Sequence, residues 1–104
     1  MYARKVTFRL KANMHLEYAH AFENQIVPLL NKQKGFKGEI TMRNPSAVEG
    51  FSISLWESKA DADEYNSKVY PGVVKILAKL LDGTPRVYAF ETVNSTFHNV
   101  PAYV

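Results

Sequence analysis

Apolar and polar residues alternate with period two from Arg4 to Lys11. Val6, Phe8 and Leu10 fall on one side, and Lys5, Thr7, Arg9 and Lys11 on the other. That spacing predicts a strand with one buried face. Asn13 then stands where a helix N-cap belongs, with a side-chain oxygen able to accept from first-turn amides. From Met14 to about Lys34 the period becomes helical, with Leu16, Ala19, Phe22, Ile26, Leu29 and Leu30 as the apolar stripe. Pro28 sits inside that stripe, lacks an amide and crowds the preceding turn, so the helix is expected to kink or restart there. Gly35 supplies the stop.

A second strand follows, with Phe36, Gly38, Ile40 and Met42 alternating with Lys37, Glu39, Thr41 and Arg43. Asn44-Pro45-Ser46 is turn chemistry, since proline pushes the residue before it out of the helical region. The third strand, Gly50 to Glu57, places Phe51, Ile53 and Leu55 on one face and Ser52, Ser54 and Trp56 on the other. The first set is expected under the helices with Val6, Phe8 and Leu10, leaving Thr7, Arg9, Ser52, Ser54 and Trp56 to point the other way. Ser58-Lys59-Ala60-Asp61 resembles a capping box and opens a polar helix to about Lys68. Pro71 suits the first turn of another helix, whose face carries Val73, Val74, Leu77, Leu80 and Leu81 before Asp82-Gly83 stops it. The last strand, Arg86 to about Thr96, has large residues in both alternating sets and reads as covered on both sides.

The order β-α-β-β-α-β is the ferredoxin-like arrangement: an α+β fold with a four-stranded antiparallel sheet and helices on one face. With 104 residues, one domain is expected, its core spanning about 4–97 and a tail 98–104. A sheet face carrying Trp56 and last-strand aromatics is too apolar to leave bare, and Arg9, Ser52 and Ser54 make it too polar for a dry core. A lining of that kind suits a subunit interface or a ligand platform.

The words Leu55-Trp56-Glu57-Ser58, Tyr70-Pro71, Gly83-Thr84-Pro85-Arg86-Val87 and Lys34-Gly35-Phe36, in these element lengths, resemble the antibiotic biosynthesis monooxygenase-like family of dimeric α+β barrels. The resemblance covers roughly Arg4 to Phe97 and implies a homodimer whose sheets face each other. It also implies chemistry on a small phenol or quinol in a barrel cavity, by a cofactor-independent monooxygenase. The haem-degrading branch of the family uses an Asn, a Trp and an axial His, where this sequence has Phe8, Tyr65 and Lys75. With no imidazole at Lys75, haem degradation is not expected. The phenol-oxidising branch pairs an Asn with the third-strand Trp; Trp56 matches, but Ser52 stands in the Asn position. Such chemistry needs a phenolate, and a cation in a low-dielectric pocket favours the anion. Arg9 is the candidate cation, against a structural ion pair with a glutamate. Ser52, Trp56 and His98 complete the candidate catalytic set. Thr7, Ser54, Tyr65, Tyr88 and Phe90 are candidate cavity residues.

Composition narrows the alternatives. The cysteine count is zero, which removes disulfides, thiolate metal sites and cysteine nucleophiles and suits a cytoplasmic protein. His15 and His20 are about 140° apart round a helix and make no metal clamp. No cofactor and no metal are expected. Thirteen Lys and Arg against ten Asp and Glu give a net charge of +3, scattered singly, so no nucleic-acid footprint is expected. Lys34-Gly35-Phe36-Lys37-Gly38 echoes an RNA-binding signature but sits on the second strand, and that signature belongs on the third. No apolar run reaches the roughly 20 residues of a membrane span, and no signal peptide or membrane partner is expected. A non-catalytic ligand-binding or structural homodimer is the alternative to the oxygenase.

Overall fold

A computed structural model describes residues 1–45 and 48–97. Strand β1 (Tyr2–Arg9) is followed by helix α1 (His15–Ala21), a π-helical turn (Phe22–Ile26) and α2 (Val27–Asn31). Strands β2 (Phe36–Arg43) and β3 (Glu49–Trp56) form a hairpin. Then come α3 (Lys59–Lys68), α4 (Tyr70–Leu77), a 3-10 turn (Ala78–Leu80) and β4 (Arg86–Glu91). The sheet order is β2-β3-β1-β4 and each pairing is antiparallel, the α+β ferredoxin-like arrangement that the sequence pattern predicts.

The register overturns one expectation. Tyr2 lies opposite Trp56, Arg4 opposite Ser54, Val6 opposite Ser52 and Phe8 opposite Gly50. Residues directly opposite share a face, so Ser52, Ser54 and Trp56 lie under the helices with Val6 and Phe8. Phe51, Ile53 and Leu55 lie on the open face with Lys5, Thr7 and Arg9. The physical reason is size. Trp56 fills the core completely, at 0% exposure, and the small serines leave room beneath α1 and α4. Counting apolar residues per face misleads when the open face is itself apolar. That face carries Ile40, Met42, Tyr88 and Phe90, all exposed.

Local chemistry explains the other departures. A bulge between Phe36 and Gly38, with Gly38 at φ 150°, puts Phe36 opposite Trp56 while Gly38 and Ile40 stay on the open face. Phe36 thereby reaches the Trp56 ring, 5.5 Å between centroids. Asn13 is not a cap: it turns the chain at φ 63°, a conformation asparagine tolerates, and Met14 precedes α1 without a side-chain cap. Leu10 leaves the sheet to bridge Leu81. Leu16 is exposed, and the first helical segment instead buries Tyr18, Ile26 and Leu30, with Phe22 half-buried beside them. A strict four-residue spacing drifts about 40° per step on an α-helix. The wider π turn at Phe22–Ile26 takes up that drift, and α2 restarts with Pro28 in its first turn. Ser58 caps α3 as expected, its Oγ accepting from the Asp61 amide at 3.2 Å. Strand β4 ends at Glu91, short of Thr96, and its residues are exposed because it is the sheet edge beyond the helices. No helix among the described residues is long and apolar enough to cross a membrane.

Candidate functional site

The register places two polar rows on the helix-facing side of the sheet. One is Glu39-Ser54-Arg4 and the other Thr41-Ser52-Val6. Over them close Tyr18 of α1, Phe22, Tyr65 of α3, and Tyr70 and Val73 of α4, enclosing a chamber of about 40 Å³. A chamber of that size holds on the order of three waters. Phe8, Tyr18, Phe22 and Glu39 are shared with an outer cleft of about 460 Å³ between α1 and β2. The cleft is within the range of small-molecule sites. Tyr18 stacks between Phe8, at 4.7 Å, and Phe22, at 5.8 Å. The two spaces are thus separated by an aromatic stack that begins at the π turn.

Arg4 is the electrostatic centre. It is 4% exposed and makes no ion pair with any described carboxylate. Its guanidinium carbon lies 4.5 Å from the Tyr70 ring centroid and 4.9 Å from that of Tyr65, and Nη2 donates to Asn66 Oδ1 at 2.8 Å. Two aromatic faces and one amide oxygen hold the cation but do not neutralise it. Burial pulls the Arg4 pKa below its ordinary value, opposed by Tyr65 and Tyr70, yet a guanidinium stays protonated in proteins.

The surrounding hydroxyls are neutral donors. Burial pushes Tyr65 up to about 12, with Arg4 opposing, and raises Tyr70 and Tyr18 as well. The Tyr70 hydroxyl is buried without a partner among the described residues. An orphan of that kind costs about 1–3 kcal/mol, so a guest oxygen is the natural way to satisfy it. Ser54 Oγ accepts from Trp56 Nε1 at 2.9 Å and keeps its own proton to donate. Glu39 is half-buried, and desolvation raises its pKa against the hydrogen bond from Thr41.

No protein-family model and no curated protein matches the sequence. Solved structures do match the fold. SnoaB, a cofactor-independent oxygenase from Streptomyces nogalater, superposes in a variant form with TM-score 0.76 at 13% identity, covering 91% of this chain and 95% of its own. The monooxygenase ActVA-Orf6 of Streptomyces coelicolor, in complex with nanaomycin D, gives 0.72 at 14% identity over 86% and 84%. An antibiotic biosynthesis monooxygenase assigned in Bordetella bronchiseptica gives 0.71 at 15% over 86% and 94%. The chain has the antibiotic biosynthesis monooxygenase fold.

Within that fold the residues singled out from the sequence separate into two groups. Ser52, Ser54 and Tyr65 line the chamber, and Trp56 packs wholly in the core beside Tyr65, at 5.0 Å between ring centroids. Thr7, Arg9, Tyr88 and Phe90 are on the opposite face of the sheet, with the first three lining an open groove of about 810 Å³. Arg9 is therefore not the chamber cation. It is exposed and bonds Glu49 through Nη1 at 2.8 Å, the structural ion pair weighed against its catalytic role. Tyr88 and Phe90 cannot line the chamber either, because a strand residue serves one face only. His98 lies outside the described residues. Among those residues no cluster of three or more His, Asp or Glu is placed to hold a metal.

Arg4, Glu39, Tyr18 and Tyr70 join the site without having been expected there from the sequence, Tyr70 having stood out only as part of Tyr70-Pro71. For Arg4 a signal existed, since it shares parity with Val6, Phe8 and Leu10 and so shares their face. For Tyr18 the signal is the four-residue ladder of positions 18, 22, 26 and 30. Nothing in the sequence marks Glu39, whose face depends on the bulge.

Proposed function

We propose that the chain binds a small phenol- or quinol-type aromatic and acts on it as a cofactor-independent monooxygenase, without metal or organic cofactor. The ring occupies the cleft between α1 and β2, and its oxygen passes the Tyr18-Phe22 stack into the chamber. The carrying observation is the buried, carboxylate-free Arg4 guanidinium over the ring of Tyr70, whose hydroxyl has no partner among the described residues, both lining the chamber. A phenolate oxygen would answer both at once. Arg4 would stabilise the anion by Coulomb attraction at low dielectric, and an electron-rich phenolate is the species that reacts with dioxygen. The likeness to SnoaB and ActVA-Orf6 supports the reading. Dioxygen uptake with a panel of dihydroxyaromatics tests it: uptake with at least one is the expected result. Ligand binding with no uptake on any would leave a binding protein of the same fold.

The same reading makes the protein a cytoplasmic homodimer whose open sheet faces pack together. Rows Tyr88-Lys5-Ile53-Ile40 and Arg86-Thr7-Phe51-Met42 run across that face. Lys5, inside the first row, lies over the Phe51 ring at 5.0 Å. Sedimentation at micromolar concentration is expected to give a dimer, and Ile53→Lys, which puts a charge at the patch centre, a monomer. A monomeric wild type would remove the barrel.

A further inference from the structure

Glu39, Ser54 and Arg4 occupy one cross-strand row, and all three line the chamber. The outer two are separated by two inter-strand spacings, roughly 10 Å between Cα atoms. Carboxylate and guanidinium thus face the same space across a serine without meeting. One carboxylate oxygen is engaged: Thr41 Oγ1 donates to Glu39 Oε2 at 2.8 Å. Among the described residues Glu39 makes no ion pair. It is also shared with the outer cleft, so a ligand entering there meets the carboxylate first and the cation further in.

We infer that Glu39 is the proton acceptor of the chamber, taking the proton of a ligand hydroxyl whose oxygen Arg4 then holds as an anion. This rests on the proposed binding of a phenol. In the step, the ligand O–H bond breaks and its electron pair stays on the ring oxygen. The proton forms a new O–H bond with Glu39 Oε1, so total charge is unchanged and no oxidant is consumed. The groups facing Glu39 do not compete for that proton. Tyr18 of α1 and Tyr65 of α3 are neutral phenols with pKa values raised by burial. Ser54 and Thr41 are hydroxyls, while His15, Glu23 and Arg43 stand in the cleft wall outside the chamber. Burial raises the Glu39 pKa above its ordinary value, against the hydrogen bond from Thr41, which makes the carboxylate a better proton acceptor. The step needs a free hydroxyl on the ligand, so the corresponding aryl ethers are excluded as ligands that could give up a proton here.

4-Nitrophenol, coloured only as its anion, is the probe. Two groups sharing a proton titrate in macroscopic steps that belong to the pair. Absorbance of the bound probe against pH is expected to show two steps, separated by more than about one pH unit. Glu39→Gln, which keeps the shape and cannot take the proton, is expected to show one step, and Glu39→Asp to retain two. A single step for the wild-type complex, superimposable on that of Glu39→Gln, would overturn the inference while leaving phenol binding intact. A wild type that binds no probe at any pH would instead overturn the binding reading and this inference with it.

Discussion

Truncating Trp56 to alanine is expected to remove about 3–5 kcal/mol of stability, the range for emptying a fully buried aromatic site. The whole margin of a small domain is about 5–15 kcal/mol, so the variant would be near the threshold of folding at room temperature. The size of the effect follows from position. Trp56 ends β3 at 0% exposure, with Phe36 on one side and Tyr65 on the other, and its indole nitrogen donates to Ser54. No neighbour can collapse into the space, because Phe36 is fixed by the β2 bulge and Tyr65 by helix α3. Trp56→Phe keeps a ring and loses the hydrogen bond, for a cost of about 1 kcal/mol from that bond. Urea unfolding midpoints for the two variants measure the difference. Equal midpoints, or a loss under about 1 kcal/mol in Trp56→Ala, would show that the ring is not the keystone that its burial implies.

Element order and type were legible in the sequence because they depend on period, and period is local. The alternation at residues 5–11, the cap at Ser58, the stop at Gly35 and the restart at Pro28 each need only neighbours in the chain. The site was less legible because it depends on which face each strand turns to its neighbour. A one-residue change of register exchanges the two faces entirely, and the apolar content of β3 pointed to the wrong exchange. Phe51, Ile53 and Leu55 form the outer patch, whereas the serines expected on the face away from the helices line a chamber beneath them. Arg9 and Arg4 illustrate the same point as a pair. Both are arginines on β1, but odd parity puts Arg9 among Glu49 and Asp82 at the surface, and even parity buries Arg4 between two tyrosines. The chemistry expected of a cation beside the ligand oxygen carries over unchanged to a different residue.

That transfer is what Arg4→Met tests, through a split between stability and binding. Removing an unneutralised guanidinium from the core relieves a desolvation penalty of several kcal/mol. Against this stand the interactions the guanidinium makes: two cation-π faces, worth up to about 2 kcal/mol each when desolvated, and one charge-assisted hydrogen bond to Asn66. The two sides oppose each other closely, and methionine fills the space of the stem, so the thermal midpoint is expected to stay near that of the wild type. Phenol binding has no such compensation. The missing charge-assisted bond to the anion is worth about 1.5–3 kcal/mol, which is roughly 10- to 150-fold in affinity, and the residual bound probe should be protonated and colourless at neutral pH. Arg4→Lys is expected to fall between, because an ammonium keeps the charge but cannot lie flat between the Tyr65 and Tyr70 rings. A large drop in thermal midpoint, with affinity preserved in the folded fraction, would make Arg4 a structural cation. A guanidinium whose burial brings the fold little net gain, stacked on a tyrosine whose hydroxyl has no partner among the described residues, has its use in what it binds.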